Sequence, residues 1–138
     1  MWLMTTRGFY SVVAHRTLPA EVLVRTRTRA DLEALEELIG PIDIFATPRA
    51  DYPWRAVVSR ERWSAAAVLL TAEIDYEDFK TAVAERQGDA REAVYHDVWM
   101  TLRRGLPGSA APAAAPERAG PPPERFPGTP AERSCAAG

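Results

Sequence analysis

Arginine and aromatic side chains are the residues of this sequence whose chemistry suggests binding. Arginine holds carboxylates and phosphates through two parallel hydrogen bonds and stacks on rings, and tyrosine and tryptophan supply the rings. Both kinds occur close together in segments that are typical of extended chain. The candidates for binding a partner or an anion are Arg25, Arg27, Arg55, Trp54, Tyr52 and Tyr10.

The positions of the arginines predict a cationic face on a sheet. Arg25 and Arg27 share one face of an alternating segment, and Arg55 follows Trp54 in another extended segment. If the face opposite the helices carries these arginines, it resembles the sheet platforms that bind single strands by base stacking and phosphate contacts. Arginine on an open or edge strand also serves solubility and blocks strand addition, so the pattern alone does not select a ligand.

Three classes of function stay open. The leading hypothesis is a non-enzymatic module that binds a protein partner or a second copy of itself, because an exposed tryptophan beside arginines is typical of interface hot spots. The alternative is a binder of single-stranded nucleic acid or of a phosphate ligand; it ranks second because the net charge is −2 and no RNP-type aromatic motif is present. The third is a small enzyme with His96 or His15 as its base.

The enzyme hypothesis finds few catalytic groups in the sequence. Neither histidine has a second candidate ligand at metal-binding spacing, and Tyr76 or Lys80 would have to assist the base. There is no G-x-S-x-G motif and no glycine-rich phosphate loop, and the absence of asparagine excludes Cys-His-Asn hydrolases. Catalytic residues therefore stay unknown, and we expect no metal and no cofactor.

Composition divides the chain into a domain and a tail. Residues 105–138 contain eight of the 12 prolines and five of the 8 glycines, and such a chain buries too little apolar surface to fold. We therefore expect a single domain over residues 1–104 and a disordered tail over residues 105–138. The one cysteine lies in the tail, so a disulfide within the chain is excluded.

No apolar run approaches the ~18 residues of a membrane-spanning helix, and no secretory signal pattern is visible. The near-neutral charge gives no general attraction to anionic membranes. The expectation is a cytoplasmic protein without a membrane partner.

Hydrophobic periodicity predicts the elements that position the candidate residues. Strands are expected over residues 9–15, 22–28, 42–46 and 54–58, with an optional short strand over residues 2–5. Helices are expected over residues 31–39, 59–74, 75–86 and 89–103, with Ser59 and Asp75 as N-caps. Ile74 is expected in the apolar stripe of the second helix, and Tyr95, Trp99 and Leu102 are expected in the core stripe of the last. This order favours an α+β two-layer sandwich, in which a mostly antiparallel four-stranded sheet carries helices on one face. A ferredoxin-like variant is the nearest named fold.

Four segments carry a resemblance to a known family: residues 2–13, residues 23–27, Ala50-Asp51-Tyr52-Pro53-Trp54-Arg55 and Ile74-Asp75-Tyr76-Glu77-Asp78-Phe79-Lys80. They are similar to those of a family of short uncharacterised bacterial proteins of actinobacterial type. The resemblance spans about residues 2–104. Since that family has no established activity, it implies a bacterial cytoplasmic single domain and assigns no role to any residue.

Overall fold

The chain forms five strands and four helices over residues 1–106, which are the residues that the computed structural model describes. The strands are β1 Trp2–Met4, β2 Phe9–Ala14, β3 Glu21–Thr26, β4 Ile44–Ala46 and β5 Trp54–Ser59. The helices are α1 Arg29–Ile39, α2 Arg60–Ala72, α3 Phe79–Gln87 and α4 Asp89–Gly105. Residues 107–138, which make up nearly all of the predicted tail, lie outside the described residues, and the predicted disorder there stays a prediction.

The sheet has the strand order β1-β2-β3-β5-β4, and every neighbouring pair is antiparallel. This arrangement confirms the predicted α+β class with an antiparallel sheet. The sheet has five strands instead of the predicted four because β1 pairs with β2. A strand of three residues is too short to show a period, so only its pairing identifies it. The ferredoxin-like variant stays a prediction.

The core lies between one face of the sheet and the helices α1 and α2. Alternate residues of β2, β3 and β5 point toward these helices. Apolar side chains at helical spacing on α1 and α2 pack against them. Removal of these side chains from water is the main force that holds the two layers together. The buried core residues are Tyr10, Val12, Val22, Val24, Leu32, Leu35, Ala56, Val58, Trp63, Ala66 and Leu70.

One predicted helix cap is confirmed and another is wrong. The Ser59 hydroxyl accepts a hydrogen bond from the Arg62 backbone N–H at 3.1 Å and caps α2. Helix α3 is capped by Asp78 instead of Asp75, because the Asp78 carboxylate accepts from the Lys80 N–H at 3.1 Å. The chain leaves α2 at Ala72, earlier than predicted, and Ile74 is therefore 60% exposed instead of lying in the α2 stripe.

Helices α3 and α4 pack against each other beside the turn that joins β1 to β2. The Gln87 side-chain amide donates to the Thr6 carbonyl at 2.7 Å and connects the helix pair to this turn. The predicted core stripe of α4 is only partly correct, since Tyr95 is buried whereas Trp99 and Leu102 are 45% and 51% exposed. Among the described residues, no helix combines the length and the apolar character needed to cross a membrane.

Candidate functional site

The open face of the sheet, which α1 and α2 do not cover, carries the central arginines of β3 and β5. Side chains alternate along a strand, so the neighbours of the buried Val24 and Ala56 point away from the core. Arg25 and Arg55 are direct cross-strand partners, whose Cβ atoms lie roughly 5 Å apart in such pairs. The structure therefore places two arginine side chains next to each other on one surface.

Tyr52 orders these arginines from the loop between β4 and β5. Its side chain is buried, and the guanidinium carbons of Arg25 and Arg27 lie 5.1 and 4.9 Å from its ring centroid. Its carbonyl accepts a hydrogen bond from Arg55 Nε at 3.1 Å, and Arg27 also pairs with Asp51 at 2.8 Å. Because cation–π contacts already occupy the Tyr52 ring, this residue positions the cations and is not free to stack on a ligand.

A concavity of about 660 Å³ opens on this face. Its walls combine three arginines and an imidazole with short apolar side chains. The lining residues are Val13, Ala14, His15, Arg16, Leu23, Arg25 and Arg55. The concavity therefore combines cationic and apolar lining, which suits an anion attached to an apolar or planar group.

The arginines of this concavity have no carboxylate partner. Within residues 1–106, no ion pair involves Arg16, Arg25 or Arg55. Arg25 donates instead from Nη2 to the Ser11 hydroxyl at 2.8 Å, and its Nε is buried without an acceptor. Positive charge in a recess, with no counter-charge from the described residues, raises the local concentration of anions.

His15 lies at the rim of the concavity with one ring nitrogen already engaged. Its Nδ1 accepts hydrogen bonds from the backbone N–H groups of Thr17 and Leu18 at 3.4 and 3.2 Å. In the neutral ring the proton is then on Nε2, which is left to donate. His15 can therefore add one hydrogen bond to an anion that the arginines hold.

Two predicted site residues lie on the other face of the sheet. Tyr10 is fully buried in the core and meets the Trp63 ring edge-on, with centroids 6.1 Å apart. Trp54 pairs with the buried Thr26 and packs beneath the helices, where the Arg29 guanidinium lies 5.4 Å from its ring. The structure thus brings together Arg25, Arg27, Arg55 and Tyr52 and separates Tyr10 and Trp54 from them.

Three further residues of the open face are absent from the predicted set. Arg16 lies in the turn after β2, and Trp2 and Phe45 lie in strands of three residues each. Trp2 is 71% exposed and Phe45 is 39% exposed, so both rings are accessible from solvent. Segments this short contain no readable alternation, and only their pairing partners reveal which face they share.

A second polar cluster lies inside the fold, between the sheet, α1 and α4. Asp31 is 1% exposed and pairs with Arg91, whose Nη2 lies 2.7 Å from Asp31 Oδ1. The hydroxyls of Tyr10 and Tyr95 are buried there without a partner. Burial raises the pKa of Tyr95 to about 12 and also raises the pKa of Tyr10, with the Asp31 charge adding to this effect. Both phenols are therefore neutral at neutral pH. Asp31 and Arg91 also line a concavity of about 340 Å³, in which they already pair with each other.

The residues of the enzyme hypothesis come together only in part. His96 and Lys80 both lie at the Trp99 ring on α4, at 5.6 Å between ring centroids and 5.2 Å from Nζ to the ring. Tyr76 packs on Phe79 instead. Over residues 1–106, no three His, Cys, Asp or Glu side chains are placed to hold a metal ion.

Comparison with known proteins found no protein similar to this chain. No family model, no curated protein and no solved structure matches the chain. The resemblance to the bacterial family stays an expectation, and a function has to be argued from the geometry of the open face.

Proposed function

We propose that this chain is a non-enzymatic binding module that holds an anionic group of its partner on the open face of its sheet. The observation that carries the proposal is the concavity in which Arg16, Arg25 and Arg55 meet without a carboxylate partner among the described residues. Arginine is the side chain best suited to carboxylates and phosphates, because its planar fork of N–H donors can hydrogen-bond to two of their oxygens at once.

The arginines are also held in position before a ligand arrives. Arg25 is held by Ser11 and the Tyr52 ring, and Arg55 is held by the Tyr52 carbonyl. Long side chains usually lose rotamer freedom on binding, at a cost of about 0.5–1.5 kcal/mol each. Contacts that restrict them in the free protein reduce this cost and favour binding.

The charge of the face bears on the kind of partner. A two-fold dimer built on this face would place the same patch of each copy opposite the other and so bring arginine near arginine. An anionic partner fits better than a second copy of the chain. Within the leading hypothesis this favours an acidic or phosphorylated protein segment, and within the alternative it favours a phosphate ligand or a nucleic acid.

The test uses the full chain and inorganic tripolyphosphate as a simple polyanionic probe. We expect binding, followed by calorimetry, that weakens as salt increases, since each anionic contact displaces counterions. The double variant Arg25→Glu, Arg55→Glu should lose this binding. The matched control is Arg103→Glu, Arg104→Glu at the end of α4, which changes the net charge equally and lies away from the concavity.

The proposal fails if the chain does not bind the probe at low salt. It also fails if the two double variants weaken binding equally, since the effect would then come from net charge and not from the concavity. Circular dichroism of each variant establishes that the fold is intact before affinities are compared.

A further inference from the structure

The structure places one row of residues straight across the open face, through all five strands. Trp2 pairs with Ser11, Ser11 with Arg25, Arg25 with Arg55, and Arg55 with Phe45. Neighbouring strands lie about 4.8 Å apart, so the row is roughly 19 Å long. Its two central positions are cations and its two ends are exposed aromatic rings.

From this row we infer that the anionic partner of the open face is single-stranded nucleic acid, with phosphates on Arg25 and Arg55 and bases stacked on Trp2 and Phe45. The inference rests on the proposed function, because it identifies the ligand of the same face. Non-specific single-strand binding needs a cationic track for the backbone and rings on which bases stack. The row supplies both within the length of a few nucleotides.

The ring at each end of the row is accessible. Trp2 is 71% exposed and its orientation is supported by Phe9, whose ring meets it edge-on at 5.8 Å between centroids. Phe45 is 39% exposed on the opposite edge strand. An acidic peptide has charges for the arginines but no planar ring at every residue, so it leaves Trp2 and Phe45 unused.

The carboxylate that contacts this face, Asp51, is already paired with Arg27 at 2.8 Å, and the carboxylate of β3 itself lies farther along the strand. Alternation along β3 places Glu21 on the open face, four residues from Arg25 and therefore about 13 Å along the strand. That distance exceeds the screening length of about 8 Å at physiological salt. The net charge of −2 of the whole chain therefore does not describe the surface that a strand would meet.

The experiment measures the fluorescence anisotropy of a labelled oligothymidylate of about ten nucleotides, a length within the range that one sheet platform binds. We titrate the full chain at several salt concentrations. Two to three phosphate contacts predict that the logarithm of affinity falls with the logarithm of salt with a slope between about −1.4 and −2. The aromatic variant is Trp2→Ala, Phe45→Ala, and its control is Trp99→Ala on the exposed face of α4.

We expect the aromatic variant to weaken oligonucleotide binding about tenfold or more while tripolyphosphate binding stays unchanged. The variant Arg25→Glu, Arg55→Glu should lose both ligands, and Trp99→Ala should keep both. Binding of tripolyphosphate without the oligonucleotide overturns the inference and leaves the proposed function standing. Binding of a decaglutamate peptide that is tighter than binding of the oligonucleotide also overturns the inference. The inference is overturned as well if the aromatic variant Trp2→Ala, Phe45→Ala binds the oligonucleotide as tightly as the unchanged chain does. Binding of neither polyanion overturns both proposals.

A second measurement needs no variant. In ¹H–¹⁵N spectra of the labelled wild-type chain, added oligothymidylate should shift the Trp2 indole signal and the amides of β2, β3 and β5. The indole signals of Trp63, which is buried, and Trp99, which is on α4, should stay in place. Shifts confined to α4 would contradict the inference even if the substituted chains failed to fold.

Discussion

The arginine residues of this molecule have two different roles, and the role of each depends on whether a carboxylate pairs with it. Arg91 neutralises the buried Asp31, whereas Arg25 and Arg55 face solvent without a carboxylate partner among the described residues. Removing one member of a buried pair leaves an uncompensated charge, which is far more costly than loss of a surface pair. The first kind of arginine is needed for folding and the second kind is available for a ligand.

This difference leads to a prediction for Arg91. Arg91→Met keeps the length of the side chain but leaves Asp31 buried without a partner, and we expect the free energy of unfolding to fall by about 3 kcal/mol. Urea denaturation measures this change. The control is Glu33→Gln, which breaks the exposed pair with Arg29 and should cost about 0.5 kcal/mol or less. Equal losses in the two variants would contradict the structural role given to Asp31.

At the scale of elements, the start of α3 depends on one of three neighbouring carboxylates, which belong to Asp75, Glu77 and Asp78. Asp78 accepts hydrogen bonds from the Lys80 N–H and, at 2.8 Å, from the Thr81 hydroxyl. Asp75 stands three residues earlier, outside the helix. These contacts also lower the pKa of Asp78, with the Thr81 hydroxyl as the larger cause and the Lys80 N–H next.

We therefore expect Asp78→Ala to lower the Tm and Asp75→Ala to leave it unchanged. Because the folded-state pKa of Asp78 lies below its unfolded value, the cap stabilises the fold above that unfolded value. The stabilisation disappears as the pH falls through the folded value. Thermal melts of both variants at pH 7 and below pH 4 measure the effect. A lower Tm for Asp75→Ala, with no change for Asp78→Ala, would show that Asp75 caps α3, as predicted from the sequence.

At the scale of the whole molecule, Glu73 connects parts of the chain that are distant in sequence. It follows α2 and receives hydrogen bonds from Arg7, in the turn after β1, and from Arg86 in α3. The hydrogen bond from Arg7 is the main cause that lowers the pKa of Glu73, and the nearby charges of Arg7 and Arg86 add to it. One partly buried carboxylate thus joins the sheet to the α3–α4 pair.

This connection predicts a specific loss of stability in acid. Since the pKa of Glu73 is lower in the folded state, its contribution is present above the ordinary pKa of about 4.3 and is lost as the pH falls through the folded value. Glu73→Gln should lower the Tm at pH 7 and flatten the decline of Tm between pH 5 and 3. Glu37→Gln is the control, because Glu37 is 75% exposed and its contact with Arg7 is longer, at 3.6 Å. If the Tm of Glu73→Gln declined between pH 5 and 3 as steeply as that of the unchanged chain, this role of Glu73 would be contradicted.

Local patterns predicted most of the elements and, for β3 and α1, the side that each buries. Alternation in β3 separates Val24 from Arg25, helical spacing places Leu32 and Leu35 in the core, and Ser59 begins a helix as predicted. These features follow from sequence because the burial of one side of a strand or helix is repeated along neighbouring residues. The α+β class and the cationic face of β3 could therefore be predicted.

Contacts between distant residues were decided only by the tertiary structure. The placement of Trp2 and Phe45 in line with Arg25 depends on the register of β1 and β4, and strands of three residues are too short to show a period. The burial of Tyr10 depends on packing against Trp63 in α2. Periodicity reports which side of an element meets water, but pairing across the sheet is a property of residues far apart in the chain. The sequence alone therefore determined that Arg25 and Arg27 share one face of β3. The fold decided that this face is the open one and which side chains lie beside these arginines.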